Sequence, residues 1–454
     1  MSGHATRAAE FLEDGPRARR HDAGLWHVRA ARDRAAASVP EWEELREQAA
    51  AIRSYAASHL APLLEQLEER ARARGVVVHW AADAAEHNRI VLELLRERGV
   101  RRVVKSKSML TEECGLNPFL EASGIEVTDT DLGEWIVQLR EEPPSHIVMP
   151  AIHLSRQDVG ATFHQHLGTP AEEDDPTRLT RHARGRLRER FLAAEAGITG
   201  VNMAVAETGD LFVCTNEGNA DLGVALPPLH IACMGLEKVI PRLSDAAVLL
   251  RLLARSATGQ ASTAFTSRIR GPRPGGELHL VIVDNGRSRL AADAEQRAAL
   301  ACIRCGACLN TCPVYRRSGG HSYEATIPGP IGSVLGPARD AEAHGSLADA
   351  CTLCGSCDAV CPVRIPLHRQ LLAWRSRLRE GGTKRDGRIA LRIASSVLSR
   401  PRLAGLLGRM GRTLLRLLPR AVQTRLPGGW TRGRSLPAIP ARSLREELAR
   451  RSRR

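Results

Sequence analysis

The sequence predicts an α/β domain built on a parallel sheet, then an α-helical module carrying most of the cysteines, then a basic helical tail. Three observations lead there. Short β-branched runs alternate with helix-length segments between about residues 60 and 290. Eight of the eleven cysteines crowd into two runs between Cys302 and Cys361. The segment Arg364–Arg454 holds 24 Lys and Arg against 4 Asp and Glu, whereas the 363 residues before it hold 41 basic and 47 acidic groups. The formal charge of +14 therefore belongs to the tail.

At about 150 residues per domain, a chain of 454 residues allows two to four domains. Hydrophobic content of 43% supports globular cores, and with aromatics at only 3% these cores must be built from Leu, Val, Ile and Ala. The first residues lack a continuous apolar stretch, so no secretory signal is expected. No run of about 18 apolar residues occurs, so no transmembrane helix is expected either. Clustered cysteines in such a chain argue for metal ligation in a reducing cytoplasm rather than for disulfides.

Residues 1–60 read as a polar helical segment. Pro40 followed by Glu41, Glu43 and Glu44 opens a helix with proline and acidic residues in its first turn, and the helix is expected to continue through Leu60–Arg74. An α/β domain follows at 61–290. Strands are expected at Val76–Trp80, Val100–Lys105, Ile125–Val127 and Ile147–Pro150, with helices at Ala84–Gly99 and Leu132–Glu141 between them. Such alternation implies βαβ units and a parallel sheet. Val201–Ala206 and Leu211–Thr215 read as two strands about a tight turn, Ile231–Ile240 and His279–Asp284 as later strands.

Residues 291–370 hold the cysteine runs, Cys302-x2-Cys305-x2-Cys308-x3-Cys312-Pro313 and Cys351-x2-Cys354-x2-Cys357-x3-Cys361-Pro362. Both match the bacterial ferredoxin spacing, in which the fourth cysteine of each run ligates the other run's cluster. Cluster one is thus assigned to Cys302, Cys305, Cys308 and Cys361, and cluster two to Cys351, Cys354, Cys357 and Cys312, giving two [4Fe–4S] clusters. Four-thiolate zinc sites are the competing reading, but structural zinc uses two separated CxxC knuckles. The 38 residues between Cys312 and Cys351 resemble the spacer of the helical ferredoxin modules in succinate dehydrogenase and heterodisulfide reductase subunits. Cys114, Cys214 and Cys233 stand alone and read as small buried hydrophobes.

Residues 371–454 form the basic amphipathic region, with helical spacing in Ile389–Leu398 and Leu403–Leu418. Its only aromatics are Trp374 and Trp430, too few for base stacking, so nucleic acid is not expected as a partner. An anionic membrane surface suits an Arg/Leu helix, and docking on a partner subunit suits it at least as well.

Specific strings carry a resemblance. They are Val104–Met109 with Thr111-Glu112-Glu113, Thr130–Glu134, Pro144–Ile147, Ala206–Gly209, Thr215–Asn219, Leu226–His230, Val314–Arg317 and Pro328–Gly332. Their order and identity make the chain similar to the lactate utilization protein B family over nearly all its length. The segment Tyr323–Ile327 departs from the family by its lower aromatic character. The resemblance implies that 61–290 is a LUD domain similar in fold to sugar-phosphate isomerases and CoA transferases. It also implies an iron–sulfur subunit of an L-lactate-oxidising complex, with the other subunits as partners; the cysteine usage points to the cytoplasm and the basic tail to the inner face of the membrane. The alternatives are the iron–sulfur subunit of another 2-hydroxyacid dehydrogenase or heterodisulfide-reductase-like complex, and a redox- or ligand-sensing regulator.

Within 61–290, Lys105 and Lys107 follow a strand, where α/β sheets bind ligands. Glu207 sits in a turn, and Asn216 and Glu217 in another. These five are the candidate ligand-binding residues. His153, His164 and His166 lack an obvious carboxylate beside them and read as satisfied polar groups. No catalytic constellation stands out, so the chain reads as an electron carrier rather than the oxidising centre itself.

Overall fold

The structure, a computed structural model, describes residues 3–380, 388–419 and 438–452. It divides into two units, residues 1–380 and 381–454.

The first unit contains ten strands: β1 (Val77–Ala81), β2 (Arg102–Lys105), β3 (Glu126–Asp129), β4 (Ala196–Gly200), β5 (Met203–Val205), β6 (Leu211–Thr215), β7 (Leu229–Gly235), β8 (Val239–Ile240), β9 (Phe265–Ile269) and β10 (Glu277–Val283). Six form one sheet in the order β1-β10-β7-β4-β2-β3, with every neighbouring pair parallel. The other four form a smaller mixed sheet, β8-β5-β6-β9. All seven residues of β7 are buried, as a central parallel strand covered on both faces requires. One face carries Val91, Leu95, Leu116, Leu120, Ile198 and Ile231. The other carries Leu64, Leu67, Ala232, Met234, Leu280 and Ile282.

Three expectations change, and the first is the strand read at Ile231–Ile240, which is β7 and β8 with a 3-10 turn, Leu236–Lys238, between them. The segment Ile147–Pro150 is a loop, not a strand. His146 Nδ1 accepts the backbone N–H groups of Val148 and Met149 at 3.0 and 3.1 Å, and Val148 O accepts from Lys107 Nζ at 2.9 Å. Backbone groups bonded to side chains in this way are withdrawn from a ladder. The fourth strand of the sheet is instead β4, reached through helices Arg156–Leu167 and Pro176–Ala193. The helix expected to run unbroken to Arg74 divides at His59 into Trp42–Ser58 and Leu60–Arg72.

The N-terminal helices Gly3–Glu13, Gly15–Ala37 and Trp42–Ser58 lie against the cysteine-bearing region. Leu25, Trp42, Leu45 and Ala49 share one core with Leu309, Tyr315, Leu347 and Leu371. The phenol of Tyr315, fully buried, donates to Ser145 O at 2.6 Å and so ties this core to the loop after helix Leu132–Leu139. Tyr323, also buried, packs on Tyr315 and on the ring of His4, with centroids 5.9 and 4.7 Å apart.

In the second unit, helices Arg388–Leu398 and Pro401–Leu417 contact each other, and Leu444–Arg451 follows. Arg412 reaches Glu446 at 3.1 Å. Leu406, Leu407, Met410, Leu414 and Leu417 are exposed along one helix at spacings of three, four and seven. Trp430, which entered the reading of the tail, lies outside the described residues. No helix among the described residues is long and apolar enough to cross a membrane.

Candidate functional site

The two cysteine runs fold alike. In each, the residue two past the first cysteine and the glycine two further on take positive φ: Arg304 at 61° and Gly306 at 75°, Leu353 at 54° and Gly355 at 73°. Only glycine adopts this conformation without cost, and Arg304 and Leu353 bear it against their side chains. The turn aims a backbone N–H back at the first thiol. Arg304 N lies 3.4 Å from Cys302 Sγ, and Leu353 N lies 3.2 Å from Cys351 Sγ. A short helix follows each glycine, Ala307–Thr311 and Ser356–Val360. These two helices pack on each other, with Thr311 Oγ1 2.5 Å from Ser356 Oγ.

The fourth cysteine of each run lies near the thiols of the other run. The Cys361 thiol lies in electrostatic reach of Cys302, Cys305 and Cys308. Cys312 lies in reach of Cys351, Cys354 and Cys357. The two sets differ in surroundings. Cys305 and Cys361 are 8% and 7% exposed, whereas Cys354 is exposed to solvent. Arginines from the N-terminal helices brace the first set. Arg46 donates to Cys361 O at 2.8 and 3.0 Å, Arg32 to Val360 O at 3.2 Å, and Arg53 to Leu300 O and Ala301 O at 2.9 and 3.2 Å.

The donor set suits iron–sulfur cubes. Four thiolates on one zinc ion, at about 2.3 Å each, would lie about 3.8 Å apart. Among the described residues, the one trio of His, Cys, Asp or Glu ligand atoms within 4.8 Å of one another is Glu112, Asp129 and Glu134, so no three thiols reach that spacing. Burial pushes the Cys312 and Cys361 thiols up to about 11, so metal binding there must release protons.

A cavity of about 260 Å³ opens at the carboxyl ends of β2, β4 and β7. Lys107, Asn216 and Glu217 line it, together with Asn202, Lys238 and Arg304, and it reaches Cys305. Lys107 Nζ bonds Asp131 Oδ2 at 3.1 Å, and Glu217 Oε2 accepts Leu132 N–H at 3.0 Å. Asn216 holds Gln260 and the backbone of Ala264.

Lys105 and Glu207 are placed elsewhere. Lys105 is wholly buried, 2.7 Å from Asp129, 3.0 Å from Glu112 and 3.9 Å from Glu134. Burial opposes its charge, yet Asp129, Glu112 and Glu134 together hold its ammonium well above the usual lysine range. Burial raises the Glu134 carboxyl well above its usual range, against the pull of Lys105. Glu207 Oε2 accepts Leu243 N–H at 2.8 Å on the surface and so holds the start of helix Leu243–Ala257. Of the isolated cysteines, Cys114 and Cys233 are buried, and Cys214 with Cys233 borders the cavity. His153 bonds Ser145 Oγ and Glu142 at 2.6 and 2.9 Å, and His164 bonds Thr169 O.

Sequence reasoning missed Arg46, Arg53 and Lys238. The first two are the cations of Trp42–Ser58, and their burial, 8% and 3% exposed, has no local signal in the sequence. Lys238 was absorbed into the strand-like run 231–240, where a 3-10 turn at Leu236–Lys238 in fact redirects it.

An eight-thiol module set against a parallel α/β domain defines an iron–sulfur protein. Residues 64–290 match the LUD domain, and residues 298–365 match the 4Fe-4S dicluster domain, so the protein carries two [4Fe–4S] clusters. The protein named Lactate utilization protein B from Oceanobacillus iheyensis is 41% identical over 423 residues, covering 90% of this chain and 88% of that protein. Its namesake from Shouchella clausii is 42% identical over 377 residues, covering 81% and 79%. A protein of Escherichia coli K12 named Uncharacterized electron transport protein YkgF is 41% identical over 406 residues, covering 88% and 85%. The chain belongs to the lactate utilization protein B family.

Proposed function

We propose that this chain is the electron-transfer subunit of a cytoplasmic complex that oxidises L-lactate to pyruvate, and that it relays electrons between partner subunits. The observation that carries this reading is the interlocking of the two cysteine runs, buried at Cys305 and Cys361 and open to solvent at Cys354. An electron relay needs a cluster that a partner can approach, and the exposed Cys354 marks the second set as that cluster. The names of the relatives supply the substrate.

In this reading Cys302, Cys305, Cys308 and Cys361 hold the first cluster, and Cys351, Cys354, Cys357 and Cys312 the second. Each [4Fe–4S] cluster, when bound, takes up and returns one electron at a time. The protein's part is to fix the ligands and set the charge around them. The N–H groups of Arg304 and Leu353 point at the Cys302 and Cys351 sulfurs, which favours added negative charge there. Arg32, Arg46 and Arg53 place three cations beside the first set, whereas Asp358 lies 3.3 Å from the Cys357 sulfur in the second. Arg375 donates to Cys351 O and places one cation beside the second set, so the two sets differ by three cations against one, with Asp358 added to the second.

The functional blocks of this reading are 1–60, 61–290, 291–370 and 371–454. The basic tail, with its exposed leucines, would dock the chain on a partner subunit and bring it to the inner face of the membrane. Two measurements test the proposal. Anaerobically purified protein is expected to hold about eight iron and eight sulfide per chain. A strain lacking this gene and any paralogue is expected not to grow on L-lactate as sole carbon source, and normal growth would refute the role.

A further inference from the structure

The cavity beside Cys305 has three properties that together specify an occupant. The first is position. It lies where β2, β4 and β7 end, at the carboxyl edge of a parallel sheet, which is where open α/β sheets receive ligands. Close approach is built in: a Cβ added at Gly200 would lie 2.9 Å from the Ser108 side chain, and one at Gly235 would lie on Glu237 and Arg287. At about 260 Å³ it falls just below the range of drug-sized pockets, about 300–1,000 Å³, so its occupant is small.

The second is charge. Four cations and four carboxylates line the cavity, and three of the cations are committed. Lys107 is spent on Asp131 and Val148 O. Arg287 is spent on Glu113 and Glu237, and Arg304 faces Glu237 at 3.6 Å. The fourth cation, Lys238, has no hydrogen bond and no carboxylate within ion-pair distance among the described residues; burial pushes its ammonium down to about 8, and Glu237 attracts it from further off. An ammonium inside a protein without a partner is costly and calls for an anion. Glu217, the fourth carboxylate, also has no ion-pair partner among the described residues; it accepts only Leu132 N–H, and burial raises its carboxyl to about 7, so it is largely relieved of charge and the Lys238 ammonium is left to match a single negative charge rather than a dianion.

The third is the rest of the wall. Met109, Val213, Met234 and Leu253 present apolar surface, while Thr215 Oγ1 is buried with no partner. The occupant therefore has a short apolar body and a polar atom besides its charge.

We propose that this cavity binds a small organic monocarboxylate, with its carboxylate on Lys238 and its body against Cys305. The link to Cys305 as a cluster ligand rests on the cysteine assignment above; the carboxylate site itself does not. An anion beside Cys305 disfavours addition of an electron to the neighbouring cluster. By linkage, reduction weakens the binding of the anion by the same factor.

The test is calorimetric titration of the anaerobic holoprotein at fixed ionic strength with acetate, propionate, pyruvate and lactate, and with inorganic phosphate as a control. One or more of the four is expected to bind one per chain, with phosphate at least about tenfold weaker. Lys238→Met is expected to weaken that binding by about tenfold or more, and Lys238→Arg to retain most of it. Asn202→Asp provides an independent variant. It keeps the acceptor that Asn202 Oδ1 offers to Cys214 N–H and adds a negative charge to the wall, and it is expected to abolish binding. The bound carboxylate is also expected to change the electron paramagnetic resonance spectrum of the reduced wild-type protein and not that of Lys238→Met. Absence of binding by all four carboxylates, equal binding of phosphate, or full affinity in both Lys238→Met and Asn202→Asp would overturn the site. If these failures occur with about eight iron retained per chain, the electron-carrier reading stands without the cavity.

Discussion

Arg46, on a helix near the start of the chain, donates two hydrogen bonds to the backbone carbonyl of Cys361, 315 residues later, at 2.8 and 3.0 Å. Its guanidinium also reaches Ala359 O at 3.0 Å. Arg46→Met keeps the apolar stem but leaves these carbonyls unpaired. The expected cost is about 3 kcal/mol, from charged hydrogen bonds worth roughly 1.5–3 kcal/mol each and partly replaced by water. Iron content after purification and the urea midpoint check it. A midpoint equal to wild type would show that the brace is idle.

The crossed cysteine assignment separates two single variants. Cys361→Ser is expected to disturb the set containing Cys302, Cys305 and Cys308, and Cys312→Ser the set containing Cys351, Cys354 and Cys357. Resonance spectra of the reduced variants should then lose different components, each with about half the iron. If both variants lose the same component, the crossing is wrong.

Lys105→Met is expected to be among the most damaging single changes. It strands Asp129, Glu112 and Glu134 around an apolar side chain, and breaking a buried pair from one side costs about 3–5 kcal/mol. Adding Glu134→Gln should recover part of the loss, because both Glu134 oxygens lack a hydrogen-bond partner. Thermal unfolding of the single and double variants reads this directly.

Stability should fall in mild acid through His230. This ring is buried in β7 against Thr199 Oγ1 at 2.8 Å, and burial pushes it down to about 4 from its ordinary 6.5. The unfolded chain therefore takes up a proton between pH 6.5 and 4 that the folded chain refuses. The group's contribution is present above pH 6.5 and is lost as pH falls toward 4, by roughly 3 kcal/mol in all. His230→Gln should flatten the fall in denaturant midpoint between pH 7 and 4.5, and an unchanged slope would remove His230 from the account.

The exposed leucines of Pro401–Leu417 give the last test. The double variant Leu406→Asp with Leu414→Asp is expected to keep its iron and lose co-purification with the native complex. Retained co-purification would leave this helix face without a docking role.

The parallel sheet was legible because β-branched runs and helix-length spacers have distinct periods, as in Val100–Lys105 and Ala84–Gly99. The cysteine runs were legible because their spacing admits few chemistries. Ile147–Pro150 misled because its apolar composition suits a strand, and no local pattern announces that His146 and Lys107 take its backbone groups. The candidate cavity was half legible. Lys107, Asn216 and Glu217 lie beside strand ends and turns, where sequence reasoning looks. Lys238 and Cys305 meet them only through tertiary folding, and the burial of Lys105 among acids placed as far as Glu134 has the same origin.

The bonds from Arg32, Arg46 and Arg53 to residues beyond 300 bear on how the chain is made. Translated some 250 residues or more before Leu300 and Cys361, these helices present apolar faces whose partners have yet to be made. The cysteine module closes only when residues up to about 380 have been synthesised, so iron–sulfur loading is a late event in the life of the nascent protein. Until then the early helices are exposed to aggregation and to proteases, and chaperone demand should be concentrated in that interval.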